Sequence, residues 1–290
     1  MINTTRLICS TYSMKKYSLF GNSGCNIELI SKGGKTYVRK YSANFEYNDR
    51  LKKQCEKQKA FTSEYFDTPH IYSSGMTKNN LFWFDMEYIS GITLSKYIGT
   101  VPLSEIKHII DIFSKVIPEK YDYDPNAKEF ILGKIKSLKS KMCGNLVYIE
   151  YLEFLEKYDW GFMIQSTCHG DFTLENMLIS DEKIYLIDFL DSFYDSWMID
   201  YAKILQDVDL GWSYRYAPIN VNLKIRLLIM KRMIHERIKM LNDGDKILDT
   251  IYHLLLLGIL RIIPYIKDDF TEKFIYEKSK NLYNLIGGRI

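Results

Sequence analysis

Residues 168–176 read Cys168-His169-Gly170-Asp171-Phe172-Thr173-Leu174-Glu175-Asn176, followed by Ile187-Asp188-Phe189 and then by Asp200-Tyr201-Ala202. Asp171, Asn176 and Asp188 supply two carboxylates and an amide, and the only thiol nearby is Cys168. Two short apolar runs, 176–179 and 184–189, flank Ser180-Asp181-Glu182, the pattern of a tight hairpin. A turn holding Asp171, closed by Asn176 and followed by a hairpin that returns with Asp188, brings all three to one edge. Hard oxygen donors without thiolates suit Mg²⁺. A carboxylate that orients a hydroxyl beside such an ion is what phosphoryl transfer requires.

Outward from this stretch the chain changes texture. Towards the N-terminus, 26–31 and 35–41 are β-prone and joined across Gly33-Gly34, a strong hairpin signal. A second turn, Gly21-Asn22-Ser23-Gly24, precedes them. The spacing predicts a helix over 49–61 and a buried strand over 81–89, ended by Ser90-Gly91. Beyond residue 91, helical periodicity marks 104–117, 128–142, 146–158, 221–241 and 247–263. The expected fold class is α+β, with a small β-rich lobe over 1–90 and a larger, mostly helical lobe over 91–290.

Composition narrows the partners. The chain has 290 residues, 47% of them hydrophobic and 26% charged, and a formal net charge of +3, too small to suggest a nucleic-acid partner. The first 16 residues lack the basic and apolar regions of a signal peptide. The most apolar window, 251–265, contains His253 and Arg261 and reads as a buried helix, so no membrane span is expected. Five scattered cysteines without C-x-x-C spacing suit free thiols in the cytoplasm. Oligomeric state is open.

His169-Gly170-Asp171-x-x-x-x-Asn176, followed by Ile187-Asp188-Phe189, resembles the catalytic loop and metal-binding segment of the aminoglycoside phosphotransferase and choline kinase family. That family shares the bilobal protein-kinase-like fold. The resemblance implies that Asp171 is the catalytic base or hydroxyl-orienting group, with His169 organising its loop. It implies that Asn176 and Asp188 hold Mg²⁺ on the phosphates of ATP (or GTP), and that Asp200 buttresses the loop through backbone N–H groups. In the N-terminal, nucleotide-binding lobe, Met86 to Gly91 resembles the hinge, whose backbone at Glu87 and Ile89 pairs with adenine. Lys40 resembles the strand lysine that grips the phosphates, Glu56 its ion-pair partner on the next helix, and Gly21 to Gly24 a loop over the phosphates. Arg39 is the competing cation; strand alternation favours Lys40, because Val38 then faces the same way as a roof for adenine.

Four departures from the pattern bear on the substrate. Leu190 replaces the glycine of D-F-G, and Asp200 follows Asp188 too closely for a long activation segment, so a small molecule is expected rather than a protein. Glu175 occupies a place often given to glycine. Thr173 stands where many protein kinases carry a phosphate-touching lysine, so that contact comes from elsewhere or is absent. Acid and aromatic residues interleave after Asp188, and Asp191, Tyr194, Asp195, Trp197, Tyr201 and Trp212 are candidate substrate contacts. They suit the hydroxyl acceptor whether it is an amino-alcohol such as choline or ethanolamine, a sugar or an aminoglycoside; core packing is the competing reading of the same residues. The alternatives to a small-molecule kinase are a non-catalytic nucleotide-binding module and an enzyme that transfers AMP.

Overall fold

The computed structural model describes residues 15–19, 25–142 and 144–287. Gly21 and Gly24 lie outside the described residues. The chain divides into two compact units, one of Met1–Ile92 with Leu178–Asp191 and one of Thr93–Met177 with Ser192–Ile290.

In the first unit, β1 (Lys15–Leu19), β2 (Cys25–Lys32), β3 (Lys35–Ser42), β4 (Ile71–Met76) and β5 (Phe82–Glu87) form an antiparallel sheet in the order β1-β2-β3-β5-β4. The β2–β3 hairpin turns at Gly33 and Gly34, with φ of +59° and +78°. Two consecutive left-handed residues match the right-handed twist of the flanking strands, which is why glycine occupies both places. Helix α1 (Asn48–Ala60) buries Leu51, Gln54, Cys55 and Gln58, one stripe at helical spacing. Its Leu51 and Cys55 pack into a core with Cys25, Val38, Phe82, Phe84 and Met86.

Strand β6 (Ile92–Thr93) lies beside a second hairpin, β7 (Met177–Ser180) and β8 (Lys183–Leu186). That hairpin turns at Asp181 and Glu182 with φ of +49° and +62°. It is tied to the first unit by Asp67, whose N–H donates to the Ile184 carbonyl at 2.9 Å and whose carbonyl accepts from Leu186 N–H at 2.8 Å. Gly91 passes so close to β7 that a Cβ there would sit 2.5 Å from the Ile179 carbonyl oxygen.

The second unit is helical: α2 (Leu94–Tyr97), α3 (Leu103–Phe113), α4 (Ala127–Lys141), α5 (Leu146–Lys157), α6 (Trp197–Val208), α7 (Val221–Lys239), α8 (Gly244–Leu260) and α9 (Asp269–Gly287). Helix α8 packs against α5, α6, α7 and α9 and is buried along almost its whole length. With the turn that follows it to Tyr265, it is long and apolar enough to cross a membrane, but 67% of that apolar window is buried inside the unit. The helix starts seven residues before the window read from sequence, so burial rather than shortness identifies it as a core helix. Helix α6 was not expected from periodicity. Every one of its residues except Lys203 is buried, and a helix covered on all sides shows no alternation to read.

Candidate functional site

The candidate residues form two clusters, one in each unit. In the first unit, strand β3 turns Val38, Lys40 and Ser42 inward and Arg39 outward. Lys40 is only 4% exposed, and its Nζ donates to Asp188 Oδ1 at 2.6 Å. Burial disfavours the ammonium, but the Asp188 carboxylate outweighs it and raises the lysine above its ordinary value. Asp188 sits just after β8 with φ of +64°, a left-handed conformation that non-glycine residues adopt at a cost. Arg39 is committed elsewhere: its Nε and Nη2 bind both oxygens of Asp85 at 2.6 and 2.8 Å, and it stacks on the Trp83 ring.

Glu56 is not paired with Lys40. It lies on the exposed face of α1, because Leu51, Gln54, Cys55 and Gln58 set the inward phase of that helix; the partner of Lys40 is Asp188. Glu87 ends β5, its N–H donating to the His70 carbonyl at 2.8 Å, and Ile89 lies two residues beyond the strand.

In the second unit, the loop 169–176 is held from α6. Asp200 accepts from the backbone N–H groups of both His169 and Gly170 at 2.7 Å. Gly170, at φ +89°, makes the turn. The Nδ1 of buried His169 accepts from Asp171 N–H at 3.2 Å. Asn176 Nδ2 donates to the Asp171 carbonyl and to Asp171 Oδ2, both at 2.9 Å. Asp171 Oδ1 is 3.0 Å from Lys203 Nζ. Burial would raise the Asp171 carboxyl, but the neighbouring ammonium wins and holds it below the usual carboxylate range. Four residues on, Glu175 is pushed up by partial burial despite Arg215 Nη1 at 4.0 Å.

Residues 164–220 match the model of the phosphotransferase enzyme family. This segment is similar to that family. It contains Asp171, Asn176, Asp188, Asp200 and Lys203. No curated protein sequence matches the chain. Solved structures share its fold. A candidate fructosamine-3-kinase from Haemophilus somnus 129PT is similar with a TM-score of 0.58 and 17% identity, over 95% of this chain and 92% of that one. A thermostable mutant of aminoglycoside phosphotransferase APH(4)-Ia, in ternary complex with ADP and hygromycin B, is similar at 0.60 and 12%, over 94% of each chain. LicA in complex with AMP is similar at 0.60 and 15%, over 96% of this chain and 94% of that one. The chain has the α+β, protein-kinase-like fold of these structures.

Three of the aromatic substrate candidates in the family segment are core side chains, which corrects that part of the acceptor reading. Trp197 and Tyr201 are 0% and 1% exposed, and the Tyr201 hydroxyl donates to the Phe113 carbonyl at 3.1 Å. Tyr194 is buried with its hydroxyl on Asp124 at 2.9 Å. Aromatic residues recur here because a helix buried everywhere but at Lys203, and its flanks, need rings for packing. Asp195 is exposed, Asp191 lies 3.5 Å from Lys53, and Trp212 is half-buried under the Arg215 guanidinium.

Two side chains in the family segment carry signals that no motif announces. Lys203 is one. The other is Asp207, fully buried, which accepts from Leu174 N–H at 2.6 Å and from the N–H and hydroxyl of Ser213 at 2.9 and 2.6 Å. Burial outweighs these bonds and pushes its carboxyl up to about 6. The folded state then binds this proton more tightly than the unfolded chain. The stability it confers is complete below about pH 4 and lost as pH rises through about 6, a change of about 3 kcal/mol. Asp207→Asn is expected to flatten that part of the pH–stability profile. Urea midpoints of both proteins between pH 4 and 7 check it, and parallel profiles contradict it.

Asn176 in the second unit and Asp188 in the first each offer the hard oxygen donor type that suits Mg²⁺. Asn176 Nδ2 is engaged by Asp171, and Asp188 Oδ1 accepts from Lys40 Nζ. Among the described residues no group of three or more His, Cys, Asp or Glu could hold a metal ion by itself. Mg²⁺ characteristically takes one or two protein oxygens and completes its shell with phosphates and water.

Proposed function

We propose that the protein is a Mg²⁺- and ATP- (or GTP-) dependent kinase that phosphorylates a hydroxyl group of a small molecule. The observation that carries this reading is the Asp171 carboxylate, held ionised by Lys203 and oriented by Asn176 within a loop braced by Asp200. An ionised carboxylate is the state needed to accept or orient the hydroxyl proton of an acceptor. In this reading Asp188 and Asn176 ligate Mg²⁺, which when bound neutralises phosphate charge. Lys40, fixed by Asp188, contacts the phosphates, and the backbone of Glu87 and Ile89 meets the base. Residues 1–90 serve the nucleotide, and the helical remainder serves catalysis and the acceptor. His169 shapes the loop without touching substrate.

The buried thiol groups of Cys25, Cys55 and Cys168 suit a reducing compartment, and the cytoplasm is the proposed location. The acceptor class is chosen by experiment: ATP and GTP consumption in the presence of Mg²⁺ against amino-alcohols including choline and ethanolamine, sugars including fructosamines, and aminoglycosides including hygromycin B. Acceptor-dependent ADP or GDP formation in one class supports the proposal. Absence of nucleotide binding supports a different reading altogether.

A further inference from the structure

We propose that Lys203 is the cation that contacts the transferred phosphoryl group, supplying from α6 the charge that the catalytic loop lacks at Thr173. This rests on the kinase reading above. Thr173 is a buried, neutral residue whose N–H donates to the Asp171 carbonyl at 2.8 Å and whose carbonyl accepts from Asn176 N–H at 3.0 Å. It is a structural link in the loop and offers no charge to a phosphate. Lys203 is the one residue of α6 not classed as buried, and its side chain keeps 12% of its surface. Its Nζ reaches Asp171 Oδ1 at 3.0 Å, with Gln206 Oε1 at 3.3 Å as a second acceptor. A lysine in an otherwise covered core helix is costly to order, and here its length spans from the helix to the atom that would take the acceptor proton.

The chemistry explains why a cation belongs there. The acceptor hydroxyl gives its proton to Asp171 as its oxygen forms the new bond to the γ-phosphorus. The bond from that phosphorus to the bridging oxygen breaks, and its electron pair leaves on the diphosphate. Once Asp171 takes the proton, its charge is neutralised and Lys203 loses its counter-ion. The ammonium, which keeps its own proton, then stabilises the equatorial phosphoryl oxygens, where negative charge is spread in the transition state. Lys203 thus acts most strongly on the transition state and hardly at all on a bound diphosphate.

That difference gives a test that needs no acceptor. Calorimetric affinities for MgADP and for MgADP with aluminium fluoride, a mimic of the transferring phosphoryl group, are compared for wild type, Lys203→Met, Lys203→Gln and Lys203→Arg. All four are expected to bind MgADP within about twofold of one another. Met and Gln are expected to lose at least about tenfold of the added affinity that fluoride confers, and Arg to keep most of it. Gln can still donate to Asp171, so it restores a merely structural bond without the charge, and it stands in should Met fail to fold. Undiminished fluoride-dependent binding in the Gln or Met variant overturns the assignment. A wild-type protein that binds no MgADP overturns the kinase reading and this assignment with it, and the two failures are told apart by that single control.

Discussion

Asp171→Ala is expected to lower phosphoryl transfer by about 10³-fold while MgADP binds as tightly as to wild type, or more tightly. The first part follows from losing the group that takes the hydroxyl proton. The second follows from the pairing in the loop: removing the carboxylate releases the Lys203 ammonium, 3.0 Å away, to attract phosphate. The loop itself should persist, because its braces are Asp200 on the His169 and Gly170 N–H groups and Asn176 on the Asp171 backbone carbonyl, none of which uses the lost side chain. Asp171→Asn is the companion variant: it preserves shape but is no base, and it should be equally inactive. Turnover within tenfold of wild type in either variant, measured with the acceptor returned by the screen, contradicts the assignment of Asp171.

The second large effect is asymmetric. Asp188→Ala is expected to destabilise the protein by roughly 3 kcal/mol, the low end for breaking a buried pair, and to weaken MgATP binding strongly. Lys40→Met should weaken nucleotide binding too, but cost clearly less stability. The reason is exposure. Lys40 is buried, so losing Asp188 strands an ammonium with no access to water, whereas Asp188 keeps about a third of its side-chain surface and can be hydrated when Lys40 is removed. Denaturant unfolding of the two variants checks the order, and Lys40→Met as the more damaging of the two would contradict it.

Local signals account for most of what was legible beforehand. Gly33-Gly34 could only be a tight turn, and the run around Ser180-Asp181-Glu182 announced the hairpin ahead of Asp188. The spacing from His169 to Asn176 named the loop that Asp200 braces. What escaped prediction was set by distant contacts. Residues 178–191 join the first unit because Asp67 pairs with β8, and no composition change along the chain marks that. Lys203 sits in a helix that is buried on every other face, so neither periodicity nor motif points to it. Glu56 shows the opposite case: the inward phase of α1 was available from Leu51 and Cys55, four residues apart, and it turns Glu56 to solvent. The aromatic residues after Asp188 looked like a binding surface because packing and recognition draw on the same side chains, and only burial separates them.

Transfer of a phosphoryl group to a small-molecule hydroxyl is decided by the identity of the products. Wild-type protein is incubated with Mg²⁺, ATP and the acceptor class that drives nucleotide consumption, and the products are analysed by mass spectrometry. ADP is expected in equal amount with an acceptor carrying one added phosphate, and neither product from Asp171→Ala. An acceptor carrying AMP, with pyrophosphate released, would contradict it.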